Sequence, residues 1–191
     1  MKRTDLQEII TFLHKTRKTK ELIRFSNNPF VKKKDTVASH SWRAVLIALL
    51  LKDAFNEYKL DTEKIIEMLI IHDLVEIENK QVKALGFRNR KAKQINEYKV
   101  LEHLFKEYKG GWTKKIHRIL KEFLEQKTLE SKVAKMIDNY ESNMHAIEEI
   151  EPIRNKEHER RTIDYIKRRE NILPLLDEFI KLQLKEINEI S

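Results

Sequence analysis

Residues 62–77, TEKIIEMLIIHDLVEI, join an amphipathic helical pattern to an adjacent histidine and aspartate. Apolar side chains recur every three or four residues, as on one face of an α-helix, at Ile65, Met68 and Leu69. His72 falls on the same stripe, and Asp73 follows it directly. A charged aspartate in so apolar a context is costly to bury unless it is paired or bound to a metal. The stretch therefore predicts both a helical fold and a site.

The composition of the 191-residue chain extends the helical prediction to the whole molecule. Three glycines and three prolines are too few for the turns of a β-sandwich, a barrel or a Rossmann sheet. The absence of cysteine excludes disulfides, thiolate zinc sites, iron–sulfur clusters and a cysteine nucleophile. We therefore predict an all-α helical bundle of six or more helices, in one domain spanning residues 1–191. Any metal must be held by histidine and carboxylate.

Periodicity and terminal signals divide the chain into helical segments, predicted at 4–19, 35–58, 62–77, 88–108, 113–125, 129–149 and 155–190. Asp61 is the expected cap of the third helix, and Pro174 breaks or kinks the last one. The first helix is expected to bury an apolar face composed of Leu6, Ile9, Ile10 and Leu13. The site would lie in a core of about residues 13–150, with C-terminal helices at 155–190.

The charge balance bears on ligands and location. Lysine and arginine number 39 against 31 acidic residues, for a net charge of +8. A basic excess favours anionic ligands such as nucleotides or nucleic acid, although a lysine-rich solvated surface explains it equally well. The longest apolar run, 44–51, is too short to span a bilayer, and the N-terminus lacks the apolar core of a signal peptide. We expect a cytoplasmic protein with no membrane contact, and nucleic acid is a less favoured partner than a small nucleotide.

Four residues on three predicted helices form the candidate site: His40, His72, Asp73 and Asp138. Two imidazole nitrogens and two carboxylate oxygens suit one divalent ion, whether Mn, Co, Fe, Ni, Zn or Mg. Glu76 lies one turn beyond His72 and could reach water at such an ion. Taken singly, His40 could instead be a core histidine bonded to a carbonyl, and Asp138 a buried partner for a lysine or for Asn139.

The order H…HD…D on a helical scaffold resembles the HD-domain metal-dependent phosphohydrolase superfamily. The segments VASHSWRAV, HDLVEI and TLESKVAKMIDNYE are similar to those of its 5′-deoxynucleotidase group, and Arg24-Phe25 resembles an Arg-Trp pair of that group. The resemblance spans roughly residues 13–140. It implies that His40, His72, Asp73 and Asp138 bind the metal and that Glu76 activates or orients the attacking water. It also implies a homodimer, with the C-terminal helices as candidate interface.

The same resemblance assigns the substrate contacts. Arg24 would hold the 5′-phosphate, and Phe25 would lie by the sugar and disfavour a 2′-hydroxyl. Three positions depart from the group: Ser39 replaces an acidic residue before His40, Phe25 replaces tryptophan, and Gln81 stands where an aspartate contacts the sugar. Gln81 keeps hydrogen-bonding capacity without charge. The metal site is therefore expected to be intact, whereas the part that reads the sugar is altered.

The leading functional hypothesis is a phosphohydrolase that removes phosphate from a small nucleotide, most simply a nucleoside or deoxynucleoside 5′-monophosphate. Two alternatives stay open. The same site could hydrolyse a nucleoside triphosphate, or the chain could be a non-catalytic nucleotide- or nucleic-acid-binding protein on the same scaffold. Glu76 argues against a pure binding protein, because such a protein has little need of a carboxylate beside the metal.

Overall fold

The computed structural model describes residues 2–26, 31–78, 90–149, 160, 163–164, 166–167 and 171–190. This part of the chain is helical apart from its connections, and the α-helices with described bounds are α1 (Arg3–Thr16), α2 (Val37–Leu50), α3 (Lys52–Glu57), α4 (Thr62–Ile71), α5 (Arg90–Phe105), α6 (Gly111–Glu125), α7 (Leu129–Glu148) and α8 (Pro174–Ile190). Two 3₁₀ helices, Arg17–Lys20 and His72–Ile77, continue α1 and α4. The all-α prediction is confirmed. None of the described helices is both long and apolar enough to cross a membrane.

Helices α2, α4 and α7 pack against one another more extensively than other helices do, and they form the centre of the molecule. On α2, Ala44 and Ala48 are completely buried, and their small side chains let the neighbouring helices approach closely. The larger side chains of this core are also fully or almost fully buried, among them Ile65, Met68, Leu69, Val133, Met136 and Ile137. All three helices carry candidate site residues or lead directly into them.

Side-chain caps fix where the three central helices begin. Thr36 Oγ1 accepts a hydrogen bond of 3.1 Å from the Ser39 amide at the start of α2. Asp61 caps α4 as predicted, accepting 3.0 Å from the Lys64 amide, and Thr128 starts α7 in the same way. Each cap satisfies an amide that has no partner within its helix. The helix starts are therefore set by local sequence.

The predicted helix 62–77 changes geometry at His72, where α4 gives way to a 3₁₀ helix. The Nδ1 atom of His72 lies 2.8 Å from the Leu69 carbonyl oxygen. In a continuing α-helix the Leu69 carbonyl would accept a hydrogen bond from the Asp73 amide. The His72 ring therefore competes with a backbone amide for this carbonyl. The predicted helix 35–58 is likewise divided, into α2 and α3, at Leu51.

The prediction for the buried face of α1 is wrong. Leu6, Ile10 and Leu13 are 46%, 55% and 60% exposed, whereas Phe12 is buried. The Phe12 ring lies 5.2–5.5 Å from three rings of the α5–α6 region: Phe105, Tyr108 and Trp112. One aromatic side chain that finds such partners determines how α1 docks, because large rings dominate burial energetics.

Pro174 is the first residue of α8, which confirms the predicted break. Proline suits this position because the first helical amide has no intrahelical acceptor. Helix α8 packs on α7, where the buried Gln183 donates 3.0 Å to the Tyr140 carbonyl and lies 3.4 Å from Asn143. Helix α7 is thus covered on the side away from α2 and α4 by the C-terminal helix.

Candidate metal centre

The four predicted ligands meet where α2, α7 and the 3₁₀ helix after α4 converge. His40 Nε2 lies 3.2 Å from His72 Nε2 and 3.1 Å from Asp138 Oδ1. Asp73 Oδ2 lies 3.3 Å from His72 Nε2 and 3.9 Å from His40 Nε2. Residues that are 32 and 98 positions apart in sequence are therefore in direct contact.

The outer nitrogen of each imidazole ring is occupied, which leaves the inner nitrogen facing the centre. His72 Nδ1 donates to the Leu69 carbonyl, since a carbonyl oxygen can only accept. His40 Nδ1 contacts Glu141 Oε2, and the ionised carboxylate of Glu141 likewise accepts. In the neutral form of each ring the lone pair is therefore on Nε2, which is the form of histidine that binds a metal.

The separations between donor atoms fit coordination of a single ion. Two ligands about 2.1 Å from a metal and about 90–120° apart are about 3.0–3.6 Å from each other. The separations between donor atoms are 3.1–3.9 Å for the pairs formed among His40, His72 and Asp73 and for the pairs of each histidine with Asp138. His40, His72 and Asp73 together offer three ligand atoms within 4.8 Å of one another. The residues present thus suit a divalent cation with nitrogen and oxygen ligands.

The buried charges are mutually stabilising. Burial alone would lower the pKa of His72, but Asp73 and Asp138 outweigh it and raise that pKa to about 10. Burial alone would raise the pKa of Asp138, but Lys135, His72 and His40 outweigh it and hold it well below its usual value. Asp73 is held below its usual pKa in the same way, by His72, Arg24 and His40 against burial. Both aspartates are therefore anionic at neutral pH and able to bind a cation.

Arg24 reaches the centre from outside the helical core. Its Nη1 lies 2.8 Å from Asp73 Oδ2, and its Nη2 lies 2.6 Å from Ser142 Oγ on α7. An isolated antiparallel bridge positions it: Ile23 pairs with Thr36, and the Arg24 amide donates 2.7 Å to the Asp35 carbonyl. This bridge ties the Arg24 segment to the start of α2, four residues before His40.

Of the other residues predicted to act at the site, the structure describes Phe25 and Glu76. The Phe25 ring stacks on His145 at 5.5 Å, and the Arg24 guanidinium lies 5.8 Å from the Phe25 ring centroid. Phe25 has a φ of 54°, so the backbone turns sharply after Arg24. Glu76 is half-buried and, three residues after Asp73, lies one 3₁₀ turn further along. Gln81 lies outside the described residues.

The carboxylates of Glu76 and Asp73 both raise the pKa of the Arg24 guanidinium. Burial alone would lower the pKa of Arg24, but Asp73, Asp138 and Glu76 are among the charges that raise it above its ordinary value. The electrostatic influence of Glu76 therefore extends to the guanidinium that contacts Asp73.

A lysine partner for Asp138 was one of the alternatives left open by the sequence, whereas the carboxylate partner of His40 was missed. Lys135 Nζ donates 2.6 Å to Asp138 Oδ2, so Asp138 is both a lysine partner and a neighbour of the histidines. Glu141 is buried and contacts His40, whereas Ser39, where an acidic neighbour was looked for, bonds to the Thr36 side chain. One signal could have found Glu141, because it lies one helical turn after Asp138 and so on the same face of α7.

Comparison with known sequences agrees with this arrangement. A family model described as HD domain matches residues 16–180. The chain is 25% identical over 118 residues to a protein of Xenopus laevis named 5′-deoxynucleotidase HDDC2, and 24% identical over 123 residues to the Danio rerio protein of the same name. These matches cover 62% and 63% of this chain. The chain spans only 57% and 60% of the lengths of these two relatives.

Comparison with solved structures supports the fold. A crystal structure of a predicted metal-dependent phosphohydrolase from Magnetospirillum magnetotacticum superposes with a TM-score of 0.75 and 21% identity, covering 97% of this chain and 94% of that one. A conserved hypothetical protein from Pyrococcus furiosus superposes with a TM-score of 0.63 and 20% identity, covering 94% and 99%. At these identities the likeness is one of architecture.

Proposed function

This chain belongs to the HD domain family, and from that premise we propose that it is a metal-dependent phosphohydrolase acting on a nucleoside or deoxynucleoside 5′-monophosphate. The observation that carries the proposal is that His40 and His72 lie 3.2 Å apart and that a carboxylate oxygen of Asp73 and one of Asp138 each lie within 3.1–3.9 Å of both rings. Relatives named 5′-deoxynucleotidase support the nucleotide part of the proposal.

His40 and His72 would hold one divalent ion through Nε2, together with Asp73 and Asp138 through carboxylate oxygens. Such an ion supplies Lewis-acid chemistry, which polarises a phosphoryl oxygen and makes water more acidic. The helices α2 and α7 and the 3₁₀ helix position the four side chains.

Glu76 would accept the proton of the attacking water. As water attacks phosphorus, the bond from phosphorus to the 5′-oxygen breaks, and the leaving 5′-oxygen takes a proton from solvent, so that the products are a nucleoside and inorganic phosphate. Glu76 suits the first proton transfer because it lies one 3₁₀ turn from Asp73 and its carboxylate is among the charges that raise the pKa of Arg24.

Arg24 would bind the phosphate. A guanidinium has five N–H donors, and the contacts with Asp73 and Ser142 use two of them in the described part of the chain. Arginine can then make a two-pronged contact with phosphate oxygens beside the metal site. Phe25, stacked on His145 next to Arg24, would lie along the sugar, with Gln81 as a second sugar contact.

Phosphate release from a panel of nucleotides tests the proposal. Purified protein is assayed with ribo- and deoxyribonucleoside 5′-monophosphates and triphosphates, with added Mn²⁺ or Co²⁺ and with chelator. We expect the wild type to release phosphate from monophosphates. Both chelator and the substitution Asp73→Asn should abolish this release. Asp53→Asn, an exposed aspartate on α3, serves as the matched control. Release from triphosphates alone would move the function to the triphosphatase alternative. A nucleotide-induced rise in melting temperature without release would make the chain a binding protein.

We also propose that the chain forms a homodimer through its C-terminal helices. On α8, Leu176, Ile180 and Ile187 are buried within the protomer, whereas Leu182 is 57% exposed. The proposal rests on the family resemblance, and Leu182 offers an exposed apolar side chain on this helix at which to test it. Light scattering of the wild type and Leu182→Lys tests this, and a monomeric wild type would contradict it.

A further inference from the structure

Glu141 links the candidate metal centre to the protein surface through two basic side chains. Its side chain is only 1% exposed. One of its oxygens contacts His40 Nδ1, and the other accepts 2.7 Å from Arg43 Nε. Arg43 continues outward, donating 2.6 Å from Nη1 to Glu148. The series Glu148–Arg43–Glu141–His40 therefore ends at a candidate ligand.

The chemistry of these groups determines where the proton of the His40 ring lies. A carboxylate can only accept, so the ring nitrogen that faces Glu141 must carry hydrogen. The neutral imidazole has one N–H, and its other nitrogen then carries the lone pair. That other nitrogen is Nε2, the atom 3.2 Å from His72 Nε2 and 3.1 Å from Asp138.

We propose that Glu141 is a positioning residue that fixes His40 in its cation-binding tautomer, and that Arg43 holds the Glu141 carboxylate in place. The metal-binding part rests on the proposed function, but the tautomer is a property of the metal-free chain. His72 needs no such residue, since the Leu69 carbonyl does the same for its ring. Contacts beyond the ligands that orient a histidine contribute about 10–100-fold to metal affinity.

Asp35 is the other carboxylate near this nitrogen. One Asp35 oxygen lies within 4.8 Å of a His40 ring nitrogen and of a Glu141 oxygen, but the Asp35 carboxylate accepts a hydrogen bond of 2.7 Å from the Thr36 amide. It is therefore committed to the backbone before α2, whereas Glu141 contacts the ring directly. If Asp35 were the true orienting group, Asp35→Asn would disturb the His40 tautomer and Glu141→Gln would not.

Glu141→Gln gives the sharpest test, because the glutamine side chain has one acceptor oxygen where glutamate has two. If that oxygen stays with Arg43, the amide NH₂ faces His40 Nδ1 and favours the tautomer with hydrogen on Nε2. That tautomer has no lone pair directed at the centre. We therefore expect Glu141→Gln to move the His40 proton to Nε2 and to weaken Co²⁺ binding by about 10–100-fold.

Removing the competing donor should reverse this effect. In the double variant Arg43→Met/Glu141→Gln the amide oxygen no longer faces a guanidinium and can turn to His40 Nδ1. We expect the Nδ1–H tautomer to return, with Co²⁺ affinity at least several-fold above that of Glu141→Gln. A merely structural role for Glu141 predicts the opposite, because a second substitution in the same network would add damage.

The experiment combines two measurements on each variant. Long-range ¹⁵N–¹H spectra of metal-free protein, recorded at a pH at which the His40 ring is neutral, report its tautomer. Competition with a chromophoric chelator reports the Co²⁺ dissociation constant. Glu148→Gln is the matched control, since it removes a carboxylate from the same arginine at the exposed end, and we expect less than about two-fold change. Melting temperatures identify any variant that fails to fold. If Glu141→Gln does not fold, the double variant is compared with Arg43→Met alone. The proposal then expects His40 to have the Nδ1–H tautomer in both proteins.

The proposal is overturned if the His40 tautomer is unchanged in Glu141→Gln, or if the double variant binds Co²⁺ more weakly than Glu141→Gln does. Failure of the proposed function looks different. If the wild type binds neither Co²⁺ nor Mn²⁺, the phosphohydrolase assignment falls. The tautomer comparison in metal-free protein still decides the role of Glu141.

Discussion

Arg24 Nη1 lies 2.8 Å from Asp73 Oδ2, although the two residues are 49 positions apart in sequence. One of these residues is expected to hold the substrate phosphate and the other to bind the metal. Their ion pair is largely buried, with both side chains 15% exposed. The proposed phosphate site and the proposed metal site are therefore adjacent, as hydrolysis of a phosphate ester requires.

Replacement of Arg24 should lower turnover without removing the metal. We expect Arg24→Ala to cost about 2–4 kcal/mol in kcat/KM for a nucleoside 5′-monophosphate, because a charge-assisted contact is lost. Arg24→Lys should recover only part, since an ammonium cannot make the two-pronged contact. Steady-state kinetics and elemental analysis measure both effects. Arg17→Ala, an arginine with a 73% exposed side chain, is the control. Equal losses in the two arginine variants would remove Arg24 from the site.

Loss of a ligand carboxylate should abolish metal binding. Protein purified without chelator is expected to carry more than half an equivalent of a divalent ion, and Asp73→Ala and Asp138→Ala should each carry little. The wild type should also melt at a higher temperature with Mn²⁺ than with chelator, because binding to the native state alone stabilises it. A well-folded wild type with no affinity for divalent ions would contradict the ligand assignment.

Glu76 should matter for chemistry more than for metal binding. We expect Glu76→Gln to keep the ion and to lower kcat about 100-fold or more, because the group that takes the proton is lost. Glu67→Gln, which removes a surface partner of Lys115, should leave kcat unchanged. Parallel loss of metal and activity in Glu76→Gln would make Glu76 a ligand or a structural support.

The metal-free protein should lose stability as pH rises. His72 has a pKa near 6.5 in an unfolded chain and about 10 in the fold, so folding favours its protonated form. This stabilisation is complete below about pH 6.5 and disappears as pH rises through about 10, with a limiting slope of about 1.4 kcal/mol per pH unit for one proton. Urea unfolding in chelator measures it. His72→Asn should lack this component, and identical slopes for the two proteins would contradict the prediction.

The sugar preference should respond to Gln81. If an uncharged side chain there relaxes sugar selection, Gln81→Asp should increase the preference for deoxyribose over ribose by about 1–2 kcal/mol. The ratio of kcat/KM for matched deoxyribo- and ribonucleotides, measured on both proteins, tests this. An unchanged ratio would show that Gln81 does not contact the sugar.

Short-range patterns predicted the helical class and the centre of the site. The spacing of Ile65, Met68 and Leu69 predicts a helix, and all three are buried. The cap at Asp61 and the break at Pro174 were also predictable, because each depends on a few neighbouring residues. His40, His72, Asp73 and Asp138 could be selected because polar groups in apolar helical stretches are costly to bury without a partner.

Contacts between distant segments were decided only by the tertiary structure. The bridge between Ile23 and Thr36 brings Arg24 to Asp73, and the packing of α2 on α7 brings Glu141 to His40. The docking of α1 through Phe12 depends equally on rings of the α5–α6 region. Helical periodicity is local and can be read along the chain, whereas the partner of a buried charge depends on which helices lie side by side. The sequence by itself therefore determined the helices and the four candidate ligands, and the fold decided what holds and surrounds them.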